Sequence, residues 1–245
     1  MLKKERREKI VDYLDKNRFA KIDELSKLLK VSEITIRRDI NELDAEGKLL
    51  KVYGGASSLE EDRFSQDIDL SFRKESYSSE KLKIAKVASQ FLKDDLTIYL
   101  DAGSTVHNII PYLKDYKVTV YTHGIHHIEA LSQLDVKTFV IGGLLKANTL
   151  ATVSGMSLDI LSNLSFDLAF VGFNGLDLDY GYSTPDELEA SVKKMVVKQS
   201  SKVYFVGDSS KFYLRSGVKF ASIDDGSLIS DKKIRDKDNK IIQIL

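Results

Sequence analysis

From residue 78 to residue 206 the chain alternates short apolar runs with stretches whose apolar residues return at helical spacing, and few folds accommodate that pattern. Ile84, Val87, Ala88 and Phe91 predict a helix over about 78–92, followed by a buried strand at 96–100 and a helix at 104–113. Strands expected at 118–121, 136–141, 168–171 and 203–206 alternate with helices expected at 125–134, 157–164 and 185–198. Alternation of this kind predicts a mostly parallel sheet covered on both faces, a doubly wound α/β domain.

The first 57 residues read differently. Ile10, Val11 and Leu14 mark an amphipathic helix over 2–16, and Leu25, Leu28 and Leu29 a short helix beginning near Asp23. Ser32 suits the N-cap of a third helix running to about Glu46, with Ile36, Ile40 and Leu43 as its buried stripe and Gly47 as its left-handed stop. A strand at 49–53 and a turn at Gly54-Gly55 complete a winged helix-turn-helix. The expected division is a DNA-binding domain at 1–57, a polar linker at 58–75 and an effector-binding, oligomerising domain at 76–245.

Composition narrows the function. With 37 basic and 37 acidic side chains the chain is formally neutral, which argues against coating nucleic acid along its length, yet residues 1–56 carry 14 basic and 11 acidic groups. The absence of cysteine excludes disulfides, thiolate metal sites and a thiol nucleophile. No apolar run approaches the ~18 residues that span a bilayer, and no signal-like stretch follows the charged start. A cytoplasmic protein with no membrane partner and no cofactor is expected.

On the third helix, Ile34 and Arg38 fall opposite Ile36, with Asn41 beside them and Thr35 and Arg37 flanking. That face offers a guanidinium fork for guanine or phosphate, an amide able to read adenine and an apolar group for a thymine methyl. Ser32 and Glu33 open the helix, where free N–H groups suit a phosphate. Lys48, Lys51 and Tyr53 on the hairpin are placed to hold the neighbouring backbone. The rival is a solvated helix on which Arg37 and Arg38 pair with Asp39 or Glu42. Helix order, cap, stripe and wing together favour double-stranded operator DNA.

In the second domain the predicted strand at 96–100 runs into Asp101-Ala102-Gly103-Ser104-Thr105, a junction that suits a phosphate, with Asp101 free to accept from a ligand hydroxyl. Small, polar strand ends recur at Thr122-His123-Gly124, Gly142-Gly143, Gly172-Phe173-Asn174-Gly175 and Gly207-Asp208-Ser209-Ser210-Lys211, and a parallel sheet gathers such ends into one crevice. His123, His126 and His127 raise the question of metal, but no acidic third ligand lies nearby in sequence, so structural or ligand-edge roles are preferred and no metal is expected. Glu189 and Lys193, four apart, read by default as a helical ion pair.

The run Val31-Ser32-Glu33-Ile34-Thr35-Ile36-Arg37-Arg38-Asp39-Ile40-Asn41-Glu42-Leu43, with Gly47 and Val52-Tyr53-Gly54-Gly55-Ala56 after it, closely resembles the DeoR family of bacterial transcriptional regulators. Tyr53 stands where that wing usually has histidine. The later segments resemble the family's sugar-phosphate-sensing domain, similar in fold to ribose-5-phosphate isomerase and glucosamine-6-phosphate deaminase. Matching segments are Asp101–Thr105, Gly142-Gly143, Gly181 with Thr184, Glu189-Ala190 with Lys193, and Asp208–Phe212, with Lys81 a further basic position. His123-Gly124 replaces the family's usual Asn-Ser. The resemblance implies that Gly103, Ser104 and Thr105 hold a phosphate, and that Asp101, Asp208 and Lys211 contact the sugar or its phosphate. It implies a homodimeric or homotetrameric repressor of a sugar operon released by a phosphorylated sugar, with fructose 1-phosphate and tagatose 6-phosphate suggested by likeness to phosphotransferase-system repressors. The alternatives are an isomerase or deaminase on the same fold, and a ligand-dependent activator.

Overall fold

The computed structural model describes residues 2–17, 19–52, 55–58, 77–235 and 241–242. Contacts divide the chain into two compact units, 1–62 and 63–245.

The first unit contains α1 (Lys3–Asn17), β1 (Phe19–Lys21), α2 (Ile22–Leu29), α3 (Glu33–Ala45), β2 (Leu50–Val52) and β3 (Gly55–Ser57). Its three strands form an antiparallel sheet in the order β1-β3-β2. The strand β1, three residues long, escapes a periodicity reading, and Gly55, expected in a turn, opens β3 and pairs with Val52. Ile10, Leu14, Leu25, Ile36, Ile40, Leu43 and Leu49 form the core, whereas Leu28 is half exposed. Gly47 adopts φ +65° just past α3, the left-handed stop its type permits without steric cost.

In the second unit six parallel strands run β14 (Ser227–Ile229), β12 (Val203–Val206), β9 (Leu168–Gly172), β4 (Thr97–Leu100), β5 (Thr119–Thr122), β6 (Lys137–Val140). Side chains alternate between faces. Tyr99, Ala169, Val171 and Phe205 pack toward α7 (Gly155–Ser162) and α8 (Glu187–Lys198). Ile98, Leu100, Val120 and Phe170 pack toward α4 (Ser78–Ala88), α5 (Ser104–His107) and α6 (Ile125–Ser132). The doubly wound sheet expected from the alternation is present. Two small antiparallel sheets escape that reading: β7 (Leu144–Lys146) with β8 (Ala151–Val153), and β10 (Gly175–Asp177), β11 (Gly181–Thr184), β13 (Val218–Ala221). The expected helix at 104–113 divides into α5 and a 3-10 turn at Ile110–Asp115. Pro111 accounts for the break, since it has no N–H to donate and disfavours helix in the residue before it.

The winding fixes where a ligand can sit. The chain builds β4, β5 and β6 outward, then returns to place β9 on the other side of β4. Between β4 and β9 the connections leave toward opposite edges, which opens a crevice beyond their carboxyl ends. Asp101 follows β4, and Gly172 ends β9.

Candidate functional site

On the first unit, Ser32 caps α3 by accepting from Thr35 N–H at 3.3 Å. Ser32, Glu33, Ile34, Arg37, Arg38 and Asn41 are exposed and Thr35 is half-buried, so α3 presents the expected face. Ile34 is 80% exposed, an apolar side chain held in water in the middle of a charged helix face. Arg38 lies 3.4 Å from Glu42 and Arg37 3.7 Å from Glu33, pairs one helical turn apart. Such exposed pairs contribute ~0.3–0.5 kcal/mol and yield readily to a phosphate. Asp39 turns inward instead and accepts from two Arg6 nitrogens, Nε at 2.5 Å and Nη2 at 3.1 Å. Lys48 is exposed and 3.0 Å from Glu46. Tyr53 lies outside the described residues, as do the side chain of Lys51 and linker residues 59–76.

On the second unit, a pocket opens at the β4–β9 switch. It brings together Asp101, Gly103, Ser104, Thr105, His123, Asn174, Glu189 and Lys211 from the sequence reading, and adds Thr149 and Lys193. The Lys193 ammonium, from α8, reaches Asp101 Oδ2 at 2.5 Å and Gly172 O at 3.0 Å. Gly172 N–H donates to the same Oδ2 at 2.9 Å, tying the two strand ends together. Burial alone would raise the Asp101 carboxyl, but the charge of Lys193, with His123 and these hydrogen bonds, brings it below the ordinary carboxylate value. It is therefore an anion at neutral pH, and its other oxygen, Oδ1, is buried with no hydrogen-bond partner among the described residues. Thr105 Oγ1 is likewise buried and unpartnered.

His123 completes this wall. Its Nδ1 lies 2.5 Å from Tyr99 Oη, and its Nε2 3.8 Å from Asp101 Oδ1. Burial, only partly opposed by Asp101 and reinforced by Lys193, lowers the ring to about 4, so it is neutral at pH 7. A neutral ring carries one proton. If Tyr99 donates to Nδ1, the proton sits on Nε2 and faces the carboxylate; the opposite tautomer would aim a lone pair at an anion. The wall thus offers a ligand an N–H donor beside a carboxylate acceptor.

A depressed histidine makes stability pH-dependent. The unfolded state takes up a proton below 6.5 while the folded state does not until about 4, so stability is full above 6.5 and falls as pH drops through that window. The 2.5-unit span corresponds to roughly 3 kcal/mol. Thermal unfolding of the second unit between pH 7.5 and 4.5 should show that loss together with one from His127, whose buried ring is lowered in the same direction, and His123→Gln should make the curve shallower by the His123 share. A wild-type curve as flat as the variant's would contradict this.

The remaining residues divide between the pocket's edge and packing roles. Glu189 does not pair with Lys193 as its spacing suggests: its Oε1 accepts from Thr149 at 2.9 Å and lies 3.1 Å from Lys146, which also meets Asp186 at 2.9 Å. Asp208 is buried and caps the turn Ser209–Lys211, and burial would raise it, but Lys211, Ser210 and the buried Lys81 bring it below the ordinary value. Asp208 therefore lies near both Lys81 and Lys211, and the Lys211 Nζ lies 5.7 Å over the Phe173 ring at the pocket edge. Gly142 and Gly143 do not line the pocket; Gly142 O accepts from Ser157 Oγ at 2.7 Å, and a Cβ on Gly143 would strike that hydroxyl at 2.7 Å. Gly175 is a packing glycine against Leu214 O. The glycine whose lack of a side chain lets the two strand ends meet is Gly172, where a Cβ would come within 3.0 Å of Asp101 Oδ2; one on Gly103 would meet ordinary contacts of 3.6–3.8 Å.

With this geometry in view, the comparisons decide the family. The DeoR C terminal sensor domain matches residues 76–232, and a DeoR-like helix-turn-helix domain matches residues 6–62. The chain belongs to the DeoR family. Its relatives include an uncharacterized HTH-type transcriptional regulator, FruR, of Bacillus subtilis (strain 168), 38% identical over 94% of this chain and 91% of that one. The L-fucose operon activator of Haemophilus influenzae (strain ATCC 51907 / DSM 11121 / KW20 / Rd) is 31% identical over 94% and 93%. Ribose 5-phosphate isomerase A from Methanocaldococcus jannaschii superimposes with TM-score 0.42 and 19% identity, over 56% of this chain and 55% of that one. This DeoR-family protein is a transcriptional regulator whose first unit is the DNA-binding module. No helix among its described residues is long and apolar enough to cross a membrane.

Two polar side chains that line the pocket, Lys193 and Thr149, and Tyr99 behind His123 escaped the sequence reading as site residues. Lys193 was hidden by its i,i+4 partner, Thr149 lies in a loop without motif, and Tyr99 reads as an ordinary strand aromatic. Only Lys193 carried a usable signal, because a lysine on the buried face of α8, beside Ala190 and Val196, needs an anion to face.

Proposed function

We propose that this chain represses a sugar uptake or catabolic operon and leaves its operator when a phosphorylated sugar enters the β4–β9 pocket. The observation that carries the reading is the polar wall of that pocket: two buried, unpartnered oxygens, Thr105 Oγ1 and Asp101 Oδ1, beside Lys211 at the rim. Buried polar atoms without partners cost ~1–3 kcal/mol each, a cost a polyhydroxylated anion relieves on binding. In this reading Thr105, Ser104, Gly103 and Lys211 take the phosphate, and Asp101, His123 and Asn174 take sugar hydroxyls. Lys81 and Asp208 position Lys211, and Glu189 with Thr149 closes the far wall.

Binding can release DNA only if the ligand prefers the DNA-free conformation. One helix-turn-helix makes a small interface, so the chain binds a two-fold operator as a homodimer or homotetramer. The apolar, exposed Leu144, Leu145, Met156 and Ile160, near the edge strand β6, suit a self-complementary contact between second units. Sedimentation should therefore give a multiple of the 27.6 kDa chain mass; a monomer at micromolar concentration would exclude it.

An operator titration tests the rest, run with and without fructose 1-phosphate, tagatose 6-phosphate and a panel of pentose and hexose phosphates. One of them should weaken wild-type binding. Arg38→Ala should cost ~1–3 kcal/mol at the operator and relax preference at one base if it reads the groove, or lower the salt slope by about one unit if it holds phosphate. Lys211→Ala should bind operator normally and resist release. Unchanged affinity in the first variant, or normal release in the second, removes the corresponding assignment. The relative named as an operon activator raises a second reading, in which ligand promotes binding; Lys211→Ala would then fail to gain affinity. Turnover of any sugar phosphate in the panel would favour an isomerase or deaminase instead.

A further inference from the structure

The chain has four histidines, and three of them meet in one place. His107 is the last residue of α5, while His126 and His127 occupy the first turn of α6. Their ring centroids lie 4.2–5.3 Å apart, and one donor nitrogen from each falls within 4.8 Å of the others. His127 is fully buried, and His107 and His126 are half-buried.

The hydrogen bonds around His127 fix which nitrogen faces the cluster. Thr122 Oγ1 donates its one proton to Leu100 O at 2.8 Å, so its two lone pairs are left to accept. One takes Gly124 N–H at 3.1 Å and the other takes His127 Nδ1 at 3.2 Å. Nδ1 therefore carries the ring proton, and Nε2, buried with no hydrogen-bond partner among the described residues, presents a lone pair. A ring held by an outer N–H bond with its other nitrogen bare is the arrangement of a metal-ligating imidazole. The sequence reading set metal aside for want of an acidic third ligand near 123–127. The third group is instead a histidine from the preceding helix, which sequence spacing conceals.

We propose that His107, His126 and His127 bind one divalent transition-metal ion of the zinc class through three imidazoles, with a fourth position open. Imidazole suits zinc, nickel, copper and iron, and three protein ligands with one open position is a recurrent zinc arrangement. Metal–nitrogen bonds of about 2.0–2.1 Å set tetrahedral nitrogens roughly 3.3 Å apart, so the donors must close by at most ~1.5 Å. Rotation of the two half-buried rings supplies that movement. The ion would clip α5, which opens with Ser104 and Thr105, to α6, which follows His123 and Gly124, and so brace two walls of the pocket from behind.

The test uses the full-length, tag-free chain after chelator treatment. Equilibrium dialysis against Zn²⁺ should give one ion per chain, with an increase in unfolding temperature, and Co²⁺ should produce visible absorption of a four- or five-coordinate site. His107→Ala and His126→Ala, each confirmed folded by circular dichroism, should weaken Zn²⁺ binding at least ~10–100-fold, the range that even outer-shell changes reach. They should also abolish the Co²⁺ bands. Absence of stoichiometric binding, or unchanged affinity and spectrum in both variants, would overturn the site. Neither outcome depends on which sugar phosphate the pocket takes.

Discussion

Lys193→Ala should destabilise the second unit by about 3–5 kcal/mol, the usual consequence of removing one member of a buried ion pair. Asp101 is 1% exposed, and Lys193 provides its only countercharge within hydrogen-bond distance among the described residues. Without the ammonium, the Gly172 N–H is left to hold a buried anion, and Gly172 O loses its donor. The variant's carboxyl should move above its ordinary value, because burial then acts with less opposition. A carboxyl whose folded pKa is raised favours the folded state as pH falls, so the gap between variant and wild type should narrow from pH 7.5 to 5.5. Urea unfolding at the two values measures both effects. Asp101→Asn combined with Lys193→Met should recover most of the loss, since neither residue then needs a charged partner. A loss below 1 kcal/mol for Lys193→Ala would mean that water reaches Asp101 and that the pair is not buried in solution. Because the pair joins β4 to α8 across the switch point, the same variant should also lose ligand-induced stabilisation.

The reason this pair was not legible in the sequence differs from the reason its surroundings were. Strands β4, β9 and β12 are buried on both faces, and such strands announce themselves as continuous apolar runs. Asp101–Thr105 follows one of them directly, so the pocket's floor could be read from adjacency alone. Lys193 lies 92 residues from Asp101, and only tertiary packing brings them together. Its local partner at the right spacing, Glu189, was a plausible decoy that Lys146 in fact occupies. The strands β10, β11 and β13 were missed because they are three or four residues long, and β13 joins β11 only through tertiary pairing such as Tyr182 with Ala221. On α3 the outward face was legible because helical geometry fixes what opposes a buried stripe. Asp39 was the exception: only the rival reading gave it a place, as a solvated partner of Arg37 or Arg38, yet it is 1% exposed, because the residue that satisfies it comes from α1, 33 positions away.

That exception leads to the second large effect. Arg6→Ala should lower the stability of the first unit by about 3–5 kcal/mol, again by stranding a buried carboxylate. In a domain of this size, total stability of roughly 5–15 kcal/mol leaves little in reserve. The Arg6 guanidinium meets Asp39 with two nitrogens, a fork geometry that fixes orientation as well as charge. Asp39 follows Arg37 and Arg38 directly on α3, so the same contact holds the rotation that points Ile34 and Arg38 outward. Arg6→Lys keeps the charge but not the fork and should fall between wild type and alanine. Two measurements separate a positioning role from direct DNA contact. If Arg6 positions α3, the unfolding transition of the first unit should drop while the salt slope of operator binding by the folded fraction stays as in wild type. If Arg6 holds a phosphate, the transition should be unchanged and the slope should fall by about one unit. Unchanged stability of the first unit would refute the structural role. Because residues 1–62 pack as their own unit, the unfolding transition of residues 63–245 should be the same in wild type and variant.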